Sequence, residues 1–215
     1  MHHVCVVNSN GECGVPVVAR YKGASNDTLA NGVFWYSFDY GPVRVVQISS
    51  EHNFEPGSVQ YQWLERTLRS ADPTVTPFTV LTAHRAMYNS ENYTDDYAVC
   101  QGMQRAFDAL LHEYQVDLMV VGHYHSVEVT LPVYQDRADP TGTVHATIGN
   151  SGADLDEAKR IVKDWWGFFN NKDFGFGRVT VSTDVMTLEI VRAADSSVMH
   201  TTTIPRKAKR PRIPR

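Results

Sequence analysis

Long apolar runs are missing from these 215 residues. None approaches the roughly 20 residues that a bilayer span requires, so no membrane segment is expected. Cysteine is scarce too: Cys5, Cys13 and Cys100 allow at most one disulfide and leave a thiol over, which excludes a disulfide scaffold and fixes no redox compartment. The first ten residues have neither a basic start nor an apolar stretch of about 7 to 15 residues, so no signal peptide is expected in them. Excess charge is lacking as well. The formal charge is −4, and because Arg206, Lys207, Lys209, Arg210, Arg212 and Arg215 crowd the last ten positions, residues 1–205 carry about −10. An acidic body excludes a nucleic-acid footprint there, since phosphate contacts need clustered Lys and Arg. Residues 206–215, basic and interrupted by Pro211 and Pro214, are expected to form a disordered tail. The sequons at Asn26 and Asn92 occur at about the chance rate and carry little weight for secretion.

What is present suffices for one core: 42% of the residues are hydrophobic and 11% aromatic, and one domain is expected at this length. Residues 33–40 and 43–48 are rich in aromatic and β-branched side chains around Gly41-Pro42, which predicts two strands and a tight turn. Ser58 offers an N-cap, with Val59, Trp63, Leu64 and Leu68 at helical spacing behind it. Residues 78–83 read as a strand covered on both faces. Met103, Ala106, Phe107, Leu110, Leu111 and Tyr114 then mark an amphipathic helix, followed by a strand over 116–121. Strands alternating with helices imply an α/β layered sheet. Further on, strands are expected over 127–133, 144–148, 177–181, 186–191 and 197–204, with a short helix near 158–166.

Two strand ends carry ligand-capable side chains: Ala83-His84-Arg85 and Gly122-His123-Tyr124-His125. In open α/β sheets functional groups gather outside the carboxyl ends of strands. In extended chain His123 and His125 project to one side, and Gly122 is expected to supply the sharp turn that brings them towards His84. Neutral imidazole is a common metal ligand, so His84, His123 and His125 are the candidate metal ligands and metal-assisted hydrolysis the candidate chemistry. His52, His112, His145 and His200, taken singly, read as satisfied polar residues. Three histidines and a water complete a mononuclear zinc site in principle. A two-metal site needs more, including a bridging carboxylate, and no Asp or Glu has motif spacing to a strand end that would supply it.

A series of strings in order along the chain resembles the purple acid phosphatases of the calcineurin-like metallophosphoesterase superfamily: Gly11-Glu-Cys-Gly-Val-Pro16, Phe34-Trp-Tyr-Ser-Phe-Asp-Tyr-Gly-Pro42, Ser49-Ser-Glu-His52, Gln60-Tyr-Gln-Trp-Leu-Glu65, Ala83-His-Arg-Ala-Met-Tyr-Asn-Ser90, Gly122-His-Tyr-His125, Val144-His-Ala-Thr-Ile-Gly149 and Phe174-Gly-Phe-Gly-Arg-Val179. The resemblance implies a layered β-sandwich flanked by helices, of which residues 1–205 form the C-terminal half, with 133–205 as its β-rich portion. It implies a dinuclear centre of Fe(III) and a divalent ion (Zn, Mn or Fe), with His84 and His123 on the divalent ion and His125 on the iron. It also implies a phosphate monoester substrate, attack by a metal-bound hydroxide, and a secreted or vacuolar location.

The family motifs that carry two aspartates, a tyrosine and an asparagine are not found before Gly11, so the ligand set is expected to be incomplete. Some members have two histidines where this chain has Tyr93 and Thr94, so no general acid is assigned. The expectation is acid-phosphatase-like hydrolysis by an incomplete form. The alternatives are a catalytically silent phosphatase-like scaffold and a mononuclear zinc hydrolase. A half sheet would leave apolar strand edges open, which predicts concentration-dependent association in sedimentation velocity. A monodisperse, cooperatively melting monomer without metal contradicts it.

Overall fold

The computed structural model describes residues 15–21, 29–91, 94–152, 154–156 and 160–208. The sequons at Asn26 and Asn92 lie wholly or partly outside them. After a six-residue helix α1 (Val15–Arg20), the hairpin β1 (Tyr36–Tyr40) and β2 (Val43–Gln47) turns at Gly41, whose φ of 54° suits glycine. Helix α2 (Val59–Ser70) begins where Ser58 accepts a hydrogen bond from the Tyr61 amide at 3.2 Å, the expected cap. Then come β3 (Phe78–Thr82), α3 (Thr94–Glu113), β4 (Leu118–Val121), β5 (Val127–Thr130), β6 (Val133–Tyr134), β7 (Arg137–Ala138), β8 (Val144–Ile148), β9 (Trp166–Asn170), β10 (Gly175–Val181), β11 (Val185–Arg192) and β12 (Val198–Pro205).

Seven strands form one sheet in the order β1-β2-β3-β4-β8-β5-β9. Strands β2, β3, β4 and β8 run parallel, and the outer pairings are antiparallel. Alternation along each strand sends its side chains to two separate cores. Leu81, Met119 and Val121 meet Trp63, Leu64 and Leu68 of α2 and Met103, Phe107 and Leu111 of α3. Phe78, Val80, Leu118, Val144 and Ala146 face the other way, onto Met186, Leu188, Ile190 and Ile204 of the three-stranded sheet β10-β11-β12. Helices cover one face and a second sheet the other, as in the layered fold expected from the sequence.

Three expectations need correction. The short helix near 158–166 is not found among the described residues: Arg160 makes an isolated bridge with Glu91, and Trp166 opens β9. The tail is not loose from its start, because Arg206 Nη2 donates to the Pro73 carbonyl at 3.2 Å and Lys207 Nζ to the Gly142 carbonyl at 2.7 Å. Residues 209–215 lie outside the description. Finally, His52, His112 and His200 do find hydroxyl partners, on Ser49, Thr141 and Thr202, but His145 does not.

His145 is buried under the edge of the Tyr88 ring, 4.8 Å between centroids, and neither ring nitrogen has a hydrogen-bond partner among the described residues. Burial, with a smaller contribution from Lys207, pushes its pKa from 6.5 down to about 3. The folded state keeps the ring neutral while the unfolded chain takes up a proton below 6.5, so stability falls as pH drops through that window. The loss is at most about 1.4 kcal/mol per pH unit. His145→Phe, which keeps a ring against Tyr88, is expected to flatten this acid limb in urea melts at pH 4 and pH 7. An unchanged slope contradicts the assignment.

Candidate functional site

Parallel pairing aligns the carboxyl ends of β2, β3 and β4, and the ladder continues past the strand ends. The Ile48 amide donates to the Thr82 carbonyl, the Ala83 amide to the Val120 carbonyl, and the Gly122 amide to the His84 carbonyl at 3.0 Å. Three loops are thereby held side by side: Ser49 to His52, Ala83 to Arg85, and Gly122 to His125.

The sharp turn falls on His123, not on Gly122. His123 has φ of 70°, and the Tyr124 amide donates to the Gly122 carbonyl at 2.9 Å across it, a left-handed γ-turn. Such a turn is rare and strained in a residue with a side chain. Gly122 itself needs no special φ, and a Cβ there would meet nothing within 4 Å. The strained turn is anchored by its neighbour, since Tyr124 is 2% exposed with its hydroxyl 3.5 Å from Cys100 Sγ.

The turn brings the His123 ring edge-on to His84, with Nδ1 of His123 3.1 Å from Nε2 of His84. On its other side Nε2 of His123 lies 3.3 Å from Nη1 of Arg85. A guanidinium only donates, so with neutral rings His123 Nε2 accepts, its Nδ1–H donates to His84 Nε2, and the His84 proton sits on Nδ1. Glu51 Oε1 braces Arg85 through Nε at 2.8 Å, while the Ser50 hydroxyl accepts from the Arg85 amide at 3.0 Å. The result is a chain from carboxylate to guanidinium to imidazole to imidazole.

Two of the three sequence-predicted ligands, His84 and His123, are therefore in contact, and the third, His125, is fixed through its backbone. The backbone of His125 is clamped by Asp156, whose Oδ2 accepts from the His125 amide at 2.6 Å and whose amide donates to the His125 carbonyl at 3.1 Å. Among the described residues no group of three or more His, Cys, Asp or Glu side chains is spaced to hold a metal ion. A cationic guanidinium against His123 Nε2 also opposes a second cation there. The residues described do not fit the dinuclear centre that the resemblance implies.

Sequence reasoning missed the partners rather than the histidines. Glu51 follows the end of β2 by four residues, but it is paired with Arg85. Glu91, Glu128, Asp156 and Arg160 carried no spacing signal, because their partners are 31 to 70 residues away.

Residues 11–127 match the family model of the calcineurin-like phosphoesterases, and residues 142–201 that of the iron/zinc purple acid phosphatase-like protein C. The chain is 33% identical over 186 residues to the probable inactive purple acid phosphatase 27 of Arabidopsis thaliana, covering 80% of this chain and 30% of that protein. It is 32% identical over 215 residues to a nucleotide pyrophosphatase/phosphodiesterase of Hordeum vulgare, covering 94% and 57%. Among solved structures it superposes on a purple acid phosphatase from yellow lupin (Lupinus luteus) seeds with a TM-score of 0.79 and 30% identity, covering 93% of this chain and 37% of that one. The architecture is that of a calcineurin-like phosphoesterase. Within that class the chain belongs to the purple acid phosphatase family, and it spans about a third to just over half the length of these relatives.

The packing of the loops yields a contrast between glycines. The Gly149 amide donates to the Ser126 carbonyl, and a Cβ on Gly149 would lie 1.8 Å from the Tyr124 carbonyl oxygen. Gly149→Ala is expected to lower stability by about 1–3 kcal/mol or more, and Gly122→Ala to change it by less than about 1 kcal/mol. Paired urea melts check this, and a larger loss for Gly122→Ala would refute the γ-turn assignment.

Proposed function

We propose that this chain is the histidine-bearing part of a phosphoric monoester hydrolase, and that its described residues bind the phosphoryl group rather than cleave it. The observation that carries the reading is the convergence of Arg85, His123 and His84 at the aligned ends of β3 and β4. The Arg85 guanidinium and the His84 Nδ1–H are donors suited to phosphate oxygens, and His123, bonded through both ring nitrogens, links the two. Glu51, by fixing Arg85, lowers the entropy lost when such an anion is gripped.

Hydrolysis by the family's Fe(III)–divalent centre belongs to this proposal only where the missing carboxylate, tyrosine and asparagine donors are supplied. No catalytic step is assigned to the residues present. A catalytically silent scaffold is the second reading, favoured by the guanidinium placed against His123 and consistent with relatives named as inactive. A vacuolar or extracellular acidic compartment is part of the same proposal.

Metal analysis of the purified chain, titration calorimetry with inorganic phosphate, and turnover of an aryl phosphate at pH 5 test it. The expected result is phosphate binding without turnover, weakened about ten-fold or more by Arg85→Gln. Two bound ions with turnover would show that the described residues complete a centre after all. One zinc with turnover would support the mononuclear hydrolase. Absence of phosphate binding overturns the proposal.

A further inference from the structure

Six and seven residues after His84, and three and one after His125, the two loops are joined a second time, inside the protein. The Ser90 amide and hydroxyl both donate to Glu128 Oε2, at 2.9 and 2.7 Å. In the opposite sense the Ser126 hydroxyl donates to Glu91 Oε1. Ser90, Glu91 and Ser126 are fully buried and Glu128 is 2% exposed. We infer that this crossed pair of serine–glutamate bonds is a positioning device, which sets the His125 loop against the His84 loop and holds both in register at the site.

The inference rests on the reading of those loops as a functional site, but the device is described independently of any bound ion or phosphate. Ser126 directly follows His125, and its carbonyl is also the acceptor for Gly149. Movement of Ser126 therefore moves His125, whose own amide is tied to Asp156. Nothing in the core requires two buried carboxylates here. Val127 and Val129 on the same strand already fill the opposite core.

Charge makes the device sensitive to pH. Two buried carboxylates, Glu91 and Glu128, share one guanidinium, that of Arg160, which donates to the Ser90 hydroxyl at 3.1 Å and stacks 3.5 Å from the Trp166 and Phe169 ring centres. Glu91 Oε2 and Glu128 Oε1 are buried without hydrogen-bond partners among the described residues. The groups facing Glu91 are Asp156 and Glu128, which oppose its ionisation, and Arg160, which favours it. Burial is the largest effect, and the Glu91 pKa rises from 4.5 to about 7. Below that value one carboxyl is neutral and the single cation balances the other. Above it an uncompensated buried charge works against the cross-link. By linkage, the folded form binds the extra proton between 4.5 and about 7, so this group favours folding in acid and withdraws that support as pH rises.

Amide hydrogen exchange on the 15N-labelled full chain tests the inference, with Leu81 and Met119 as core references. In Ser126→Ala the His125 amide is expected to exchange about ten-fold faster while the references stay unchanged. In the wild type, after correction for intrinsic rates, His125 protection is expected to fall about ten-fold between pH 6 and pH 8, whereas Glu91→Gln, which keeps the neutral shape, stays flat. Unchanged His125 protection in Ser126→Ala, loss shared equally by the references, or a flat wild-type profile overturns the inference. If Ser126→Ala does not fold, the comparison of wild type with Glu91→Gln decides alone. Should phosphate and metal binding both fail in the wild type, these readings persist and only the functional reading falls.

Discussion

Parallel pairing of β2, β3 and β4 is the constraint on which the site depends. It aligns three carboxyl ends, so that residues 35 to 39 positions apart in the chain become neighbours. The ladder then runs beyond the strands through the Gly122 amide and the His84 carbonyl, which fixes the two histidine loops to each other by backbone alone. A strained γ-turn at His123, worth on the order of 1–3 kcal/mol of strain, is tolerated because Tyr124 is sunk in the helical core beside Cys100. The core thus holds the ring in a direction that the local backbone would not choose.

That division explains what the sequence made legible. Strands β3, β4 and β8 announced themselves because both faces are covered, so their apolar runs are unbroken; α2 did so through Ser58 and the spacing of Trp63, Leu64 and Leu68. Periodicity reports burial, and these elements are buried. β9 was missed because its burial is partial and its residues are recruited by pairing with β5, 36 to 43 positions earlier. The histidines were found from their place after apolar strands, but the position of the turn was misread: glycine was given the bend because it is permissive, while tertiary anchoring imposed it on His123.

The partners of the histidines were invisible for a related reason. Arg85, Glu51, Asp156, Glu91 and Glu128 act in pairs that the sheet topology creates, and no local pattern encodes a pair 31 to 38 residues apart. The consequence for function is specific. A histidine with a lone pair exposed is able to ligate a metal, whereas one bonded through both ring nitrogens, to a guanidinium and to a second imidazole, links those two groups instead. The residue types in the motif do not distinguish these states; the neighbours do.

Two buried groups with opposite tendencies define how the fold meets acid. Glu91 binds a proton in the folded state that the unfolded chain lacks between 4.5 and about 7, while His145 lacks in the folded state a proton that the unfolded chain binds between about 3 and 6.5. Stability changes with pH in proportion to the difference in bound protons. Where the windows overlap, from 4.5 to 6.5, the two contributions oppose each other and cancel to first order. Of the two, only the histidine titrates between 4.5 and about 3, where stability falls with acid, and only the carboxyl between 6.5 and about 7, where stability falls as pH rises. A buried base and a buried acid, each unfavourable by itself, thus offset each other's pH dependence between 4.5 and 6.5.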